Sequence, residues 1–513
     1  MYFTQEEIIN LSIRQAAPLT QEEILGQLIQ EHRDSMFIAE AFDGVDYFRV
    51  DNNVILDHDF TEWIDSKGRK HTAYGSGVGS GTGTLASVQD TTRKADNRLP
   101  GGFHRKQLLE KLSYLLKNPI SITFGDEEDD KTVEKFQDVL GKWFQDEVNE
   151  WAEFAGNQGN SWMHFFLDGR TFDYQVMPTT GIIPIYESSR QRKLDAVIRY
   201  YDIVESVAKD TTDIKMKAEW WTGKEVVYYE QGSGGKFEET SRENHFQFVD
   251  EQTGDVLAGG SWGRPPFVEL KNNNSVVSDL HFIKNLIDAY DMQLSVFSND
   301  LEEIKAAIIK AIGTNDNPDS IRDNINRFGV VTLEAGISGD AKQDIDFLAM
   351  PIPHEAKDAL LRKLEENISG TGMALQFDVD NFGSSPTGVA LKWLYLPLDL
   401  KAGLLEVKLR KSLHEMFWFV NKFFEISKDK PIKEDDLVKF EFVFDKSMIT
   451  NEQEAITTAN ASIGAVSEET RLVNDPRVDD VDAEMERMAT ERKERQEAAV
   501  AAFGGDEDED EDA

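Results

Sequence analysis

Three places in the 513-residue sequence carry residue types that could do chemistry. Asp378 and Asp380 could offer a carboxylate pair to a cation. His414 beside Glu415 could exchange protons. Glycines 75, 77, 79, 81 and 83, interleaved with Ser and Thr, could wrap a phosphate. Each falls short on its own terms. Carboxylates two residues apart in a Gly-rich loop are poorly preorganised, and no third ligand or His-x-x-x-His spacing lies nearby. A nucleotide turn needs Gly-Lys-Ser/Thr after a buried parallel strand, and neither accompanies residues 75–83. With no cysteine in the chain, disulfides, thiol catalysis and thiolate metal sites are excluded. These residues therefore predict a protein that is not an enzyme and that holds no cofactor and no metal.

The charge balance is acidic, 95 Asp and Glu against 55 Lys and Arg, for a formal net charge of −40. Gripping nucleic acid by its phosphates takes the opposite sign, because affinity there comes from cationic side chains releasing counterions. The excess acid reads either as solubility or as a surface that meets DNA without holding it. Residues 1–10 have no basic stretch leading into an apolar one, so no signal peptide is expected. No apolar run approaches the ~18 residues of a membrane span; the streak Met416–Val420 is bounded by Glu415 and Lys422. A soluble chain made in a reducing cytoplasm is expected.

The elements that would position these residues read as α+β in the first half. Residues 1–40 suggest amphipathic helix, with Thr20 capping a segment that starts Gln21-Glu22-Glu23. Residues 41–72 suggest short strands such as Tyr47-Phe48-Arg49-Val50. A basic helix over 104–116 carries Arg105, Lys106 and Lys111, followed by Lys117, and ends before Pro119. One helix is expected over 132–155, then a strand-rich stretch over 161–229. In the second half, Leu280, Ile283, Ile287, Tyr290, Leu294, Phe297, Leu301, Ile304 and Ile308 recur at alternating spacings of three and four. That seam predicts a rod of about 42 Å, to be covered by helices of this chain or of neighbours. A small αβ insert follows, with a helix over 320–327 and strands over 329–333 and 345–348. A helix over 354–368 comes next, then a loop over 370–388. The following helix, from about Val389, should kink at Pro397 and carries an apolar stripe of Leu405, Leu409, Leu413, Phe417, Val420 and Phe424. A strand over 439–444 precedes helices over 452–463, 468–474 and 481–502, and the acidic run Asp506–Asp512 should be disordered.

Several segments in this order resemble the portal proteins of long-tailed bacteriophages, over roughly residues 97–476. They are Asn97-Arg98-Leu99 with Tyr114-Leu115-Leu116-Lys117-Asn118-Pro119; Asn149-Glu150-Trp151 with Gly159-Asn160-Ser161-Trp162-Met163; Ile182-Ile183-Pro184-Ile185-Tyr186; Pro265-Pro266-Phe267-Val268-Glu269 with Asn272-Asn273 and Ser278-Asp279-Leu280; Leu286-Ile287-Asp288-Ala289-Tyr290-Asp291; and Tyr395-Leu396-Pro397-Leu398-Asp399-Leu400-Lys401. The resemblance implies a ring of about twelve subunits at one capsid vertex, through which double-stranded DNA is packaged and ejected. It implies a wing over 1–277, a stem helix over 278–308, a clip over 309–353, a second stem helix over 354–369 and a tunnel loop over 370–388. The kinked helix and return strand of the wing would span 389–448 and the crown 449–503. Residues 75–83 and the tail over 504–513 map onto no part of that plan. Implied partners are the terminase large subunit, major capsid protein, scaffolding protein and head-tail adaptor, in a virion assembled in the bacterial cytoplasm. In the loop, Gln376, Asn381, Ser384 and Ser385 would touch DNA weakly, Lys392 could meet a phosphate, and Met373, Leu375, Phe377 and Phe382 would pack against neighbouring loops.

Overall fold

The computed structural model describes residues 2–13, 19–58, 62–64, 70–72, 95–125, 130–190, 193–208, 211–232, 234–249, 256–303, 308–312, 344–348, 354–376, 388–446, 457, 460–462, 464–473, 475, 477–478 and 481–503. The chain divides into a main unit, residues 1–374 and 401–445, and a second unit, residues 375–400 and 446–513.

The main unit opens with strand β1 (Phe3–Thr4) and helices α1 (Gln5–Ile13), α2 (Gln21–Arg33), α3 (Met36–Arg49) and α4 (Asn53–Leu56), then the hairpin β2 (Glu62–Ile64) and β3 (Lys70–Thr72). Thr20 does cap α2, in a reciprocal box: its hydroxyl accepts from Glu23 N, and the Glu23 carboxylate accepts from Thr20 N. The strand expected at Tyr47–Val50 is instead the end of α3. Ile38, Ala41, Gly44 and Tyr47 form its buried face, and Gly44 is needed because a Cβ would lie 1.8 Å from the Asn157 carbonyl. Val50, at φ 66°, closes the helix in the left-handed region.

Next come α5 (Phe103–Leu116), β4 (Ser121–Phe124), α6 (Asp130–Leu140) and α7 (Phe144–Gln158). The single helix expected over 132–155 is two, broken at Gly141, whose φ of +73° a helix cannot use. Strands β5 (Asn160–Asp168), β6 (Thr171–Pro178), β7 (Ile182–Tyr186), β8 (Leu194–Ala208), β9 (Thr211–Trp221), β10 (Glu225–Gln231), β11 (Phe237–Asn244), β12 (Phe246–Val249), β13 (Val256–Gly260) and β14 (Phe267–Lys271) follow. They build a six-stranded sheet in the order β1-β7-β8-β9-β10-β11, a three-stranded sheet β14-β5-β6 and the pair β12-β13. Strand period two sends alternate residues to opposite faces. Ile183, Ile185, Ala196 and Ile198 pack against Leu25, Leu28 and Ile29 of α2. Ile182, Val197, Trp221 and Val226 meet Trp162, Met177 and Phe267 of the smaller sheet.

The helical part holds α8 (Lys284–Glu303), the paired strands β15 (Ile308–Ile312) and β16 (Asp344–Leu348), α9 (His354–Thr371) and α10 (Gly388–Ile426). Strand β17 (Phe440–Val443) pairs with β4, and α11 (Glu468–Val473) and α12 (Val481–Phe503) lie in the second unit. The stripe Leu405, Leu409, Leu413, Phe417, Val420 and Phe424 of α10 is fully buried; Phe417 stacks on Phe136 at 5.2 Å and Phe424 meets the same ring edge-on at 5.1 Å. The expected mixture of helices and strands is therefore observed. The expected segments 75–83, 320–327, 329–333 and 504–513 lie outside the described residues.

The heptad seam is revised. Leu280 belongs to a 3-10 turn (Leu280–Phe282), α8 starts only at Lys284, and Ile308 lies in β15. The helix is thus about 30 Å long. Leu280, Ile283 and Ile287 are buried with Tyr47 and Ile368, whereas Tyr290, Leu294 and Phe297 are half-buried, Leu301 is exposed, and Ile304 lies outside the described residues. Beyond Ile287 the buried row of α8 is polar, Asp291, Ser295 and Asn299. Its side chains accept from the backbone N–H groups of Gly101 at 2.8 Å, Leu99 at 2.9 Å and Asn97 at 2.7 Å. Four helical residues rise about 6 Å and two extended residues about 6.6 Å, so every second amide of the strap 97–101 meets every fourth side chain of α8. Pro100, which has no N–H, falls between two of these rungs. Burial raises Asp291 to about 6 despite donors from Asn52 and Gly101.

Replacing Asn299, Ser295 or Asp291 singly by Ala is expected to speed amide exchange about tenfold or more at Asn97, Leu99 or Gly101 respectively. Residue-resolved hydrogen exchange checks this; an unchanged pattern would show the strap is held by something else. A second expectation concerns acid. Burial pushes His32 and His164 down to about 3 and His104 and His245 down to about 4. Each stabilises the fold in full above the unfolded value near 6.5, and that contribution drains away as pH falls toward the folded value, by about 2 kcal/mol each at pH 5. Asp291 works in the opposite sense, as do Asp46, Glu147 and Glu153, which burial also raises, but these last three are less buried than the histidines. The thermal midpoint should therefore drop between pH 7 and pH 5, and His164→Phe should flatten that drop. Calorimetry showing equal slopes would remove the histidines as its cause.

Candidate functional site

The main unit is interrupted once between Ala374 and Lys401, and the residues on either side of that interruption converge on one buried carboxylate. Asp279 sits just before the 3-10 turn that leads into α8, its own N–H bonded to the Gly156 carbonyl at 2.9 Å. Lys111 of α5 reaches its Oδ2 at 2.7 Å and Lys401 of α10 reaches the same oxygen at 3.2 Å. Asn272 donates to Oδ1 at 2.8 Å and accepts from Lys111 Nζ at 2.8 Å. The two ammoniums and the Asn272 donor hold the Asp279 carboxyl well below the usual carboxylate range although burial opposes them, and burial lowers Lys111.

The end of α9 is tied into the same cluster. Gln107 donates to the Ile368 carbonyl at 3.2 Å, and Lys401 Nζ donates to the Gly372 carbonyl at 2.9 Å. A Cβ at residue 372 would lie 1.9 Å from Gln107 Oε1, so a larger residue there would push the Gln107 amide away from its present position. Met373 follows at φ 54°, a conformation that costs a non-glycine residue about 1 kcal/mol or more. The basic reading of α5 is corrected here. Lys111 is 1% exposed and belongs to the core with Leu108, Leu112 and Leu115. Its one visible signal was a charge placed on the apolar face of a helix. The segments Asn272-Asn273, Ser278-Asp279 and Leu400-Lys401, far apart in sequence, supply the other members.

The remaining candidates are scattered. Gln376 and Lys392 are exposed, Leu375 is half-buried and Met373 is 41% exposed. Asn381, Ser384, Ser385, Phe377, Phe382, Asp378 and Asp380 lie outside the described residues. Pro397 falls inside α10. Along that helix Trp393, Leu396, Leu400, Leu404 and Val407 are all exposed, Trp393 by 70%. On α9 only Ile368 is buried, and Lys357 pairs with Asp300 of α8 above the Phe297 ring. His414 and Glu415 border a cavity of about 550 Å³ with Arg264 and Trp418. His414 packs edge-on against Phe442 at 5.0 Å and is lowered by burial, while Glu415 pairs with Lys411 at 3.6 Å. Each thus has a structural partner of its own. Among the described residues no cluster of metal-ligating side chains occurs, and no helix is long and apolar enough to cross a membrane.

Comparison with known proteins places these elements. Residues 31–498 match the family described as Phage portal protein, SPP1 Gp6-like. The chain is 31% identical to the portal protein of Clostridium phage phiCD119 over 429 residues, 80% of this chain and 88% of that one. It is 26% identical to the portal protein of Bacillus phage SPP1 over 518 residues, 99% of this chain and 94% of that one. The strap 97–101, helices α8 and α9 and every residue around Asp279 fall within the matched span, and on that match the chain belongs to the phage portal protein family.

Proposed function

We propose that this chain is one subunit of a closed ring of about twelve copies at a single capsid vertex, lining a channel through which double-stranded DNA enters and leaves. The observation that carries this reading is the exposed row Trp393, Leu396, Leu400, Leu404 and Val407 of α10. These large apolar residues recur at spacings of three and four, so they share one helical face. Apolar side chains repeated along a face in this way are ordinarily covered. A rotational copy of the chain covers the same face on every subunit at once, which is what closed cyclic symmetry requires. The half-buried residues Tyr290, Leu294 and Phe297 of α8 and the sparsely buried α9 fit the same arrangement.

In this reading residues 1–277 form the wing, 278–308 and 354–369 the stem, 309–353 the clip, 370–388 the tunnel loop, 389–448 the kinked helix with the wing's return strand, and 449–503 the crown. The loop residues Gln376, Asn381, Ser384 and Ser385, with Lys392 just after the loop, touch passing DNA, and Met373, Leu375, Phe377 and Phe382 pack loop against loop. A net charge of −40 serves transit, since a wall that repels phosphates does not hold them. The ring is a structural platform rather than a catalyst. It docks the terminase large subunit during packaging and the head-tail adaptor afterwards, within a shell of major capsid and scaffolding protein.

Light scattering and negative-stain imaging of the purified protein should give a particle near 0.7 MDa, about twelve chains of 58.1 kDa, with a central hole. A chain that stays monomeric with and without its scaffold would overturn the reading. Leu404→Glu with Val407→Lys should shift the particle to single chains while leaving the thermal midpoint of the chain within a few degrees. Intact rings from that variant would show that this face is not the subunit contact.

A further inference from the structure

The cluster around Asp279 holds one carboxylate and two ammoniums. One lysine is enough to neutralise it. Lys111 does so at the shorter distance, and Asn272 bonds both partners of that pair. Lys401 therefore adds a surplus positive charge to a site with almost no water, its side chain only 13% exposed. Uncompensated buried charge opposes folding, and an apolar side chain of similar volume would be as stable or more so. Stability alone does not account for a lysine here.

What Lys401 alone contributes is its bond to the Gly372 carbonyl. Gly372 lies two residues before the chain leaves the main unit after Ala374, and Lys401 is the residue at which it returns. One ammonium thus ties the departing end to the returning end, and Asp279 holds that ammonium from below. The departing end is fixed a second time by Gln107 on the Ile368 carbonyl and by the close approach of Gln107 to Gly372.

We propose that Lys401, seated on Asp279, is a positioning residue for DNA passage: it clamps the two ends of the 375–400 segment together so that contacts made with DNA by that segment act against a fixed base. This rests on the channel reading given above and adds to it a named residue and a named bond.

The test uses full-length rings carrying Lys401→Met, which keeps side-chain length and leaves the neutral Lys111–Asp279 pair, and Lys401→Arg, which keeps the charge and a donor. Ring mass and thermal midpoint of Lys401→Met should equal or exceed those of the unaltered protein. Its backbone amides in 369–374 and 401–405 should exchange about tenfold faster, the size expected for losing one charge-assisted hydrogen bond, while those of 107–112 stay unchanged. DNA retained in a packaging reaction with the cognate capsid shell and motor should fall several-fold, and Lys401→Arg should restore most of both. Unchanged exchange, or faster exchange with normal packaging, overturns the proposal and leaves the channel reading standing. So does failure of Lys401→Met to form rings, because the lysine would then be a stability element. If rings of the unaltered protein support no packaging, the channel reading itself fails, a result distinguishable from all the others.

Discussion

A carboxylate removed from water has to be neutralised where it stands, and Asp279 is the point on which the described main unit turns. Its neutralisation requires Lys111, which fixes α5. Its second oxygen requires Asn272, which fixes the segment after β14. Its backbone N–H is bonded to Gly156 at the end of α7. Two helices and a strand end are thereby aligned before α8 begins, and these bonds act beside the apolar packing at its start. Loss of the carboxylate would leave two buried ammoniums facing each other, a cost of several kcal/mol. The fold therefore tolerates very little change at this one residue, although nothing in its local sequence looks unusual.

The same logic of matched polar groups extends along α8. Apolar packing holds its start and first two turns, through Ile283 and Ile287 with the partly buried Leu286 and Tyr290. Further along, the strap 97–101 substitutes for a packed neighbour, because an extended chain and a helix happen to advance by nearly equal steps when counted in twos and fours. A polar contact of this kind aligns the helix without consuming its apolar side chains. Leu294, Phe297 and Leu301 are left on other faces of the helix, wholly or partly exposed.

Close backbone approach is the third constraint. Gly44 admits no Cβ against the Asn157 backbone, and a Cβ at Gly372 would displace the buried Gln107 amide. Both sit where helices cross or end against others, and both set how near α3 can come to α7 and α9 to α5. Here the absence of a side chain is the structural feature, and it is invisible to any count of apolar residues.

Much of this was legible from the sequence. The cap at Thr20, the strand Ile182–Tyr186, the stripe from Leu405 to Phe424 and the start of α10 near Val389 follow from local rules, since capping and periodicity depend on residues within a few positions of one another. The order of segments carried the family. What tertiary structure alone decided is of a different kind. Tyr47–Val50 closes a helix whose Gly44 lies close against α7, and the expected apolar seam gave way beyond Ile287 to a polar i, i+4 row because the strap presents backbone N–H groups there. Lys111, read as one of several surface cations, became the counterion of a carboxylate 168 residues away. Local pattern specifies which face of an element avoids water; it does not specify which distant charge will be waiting there, because that depends on how the elements cross.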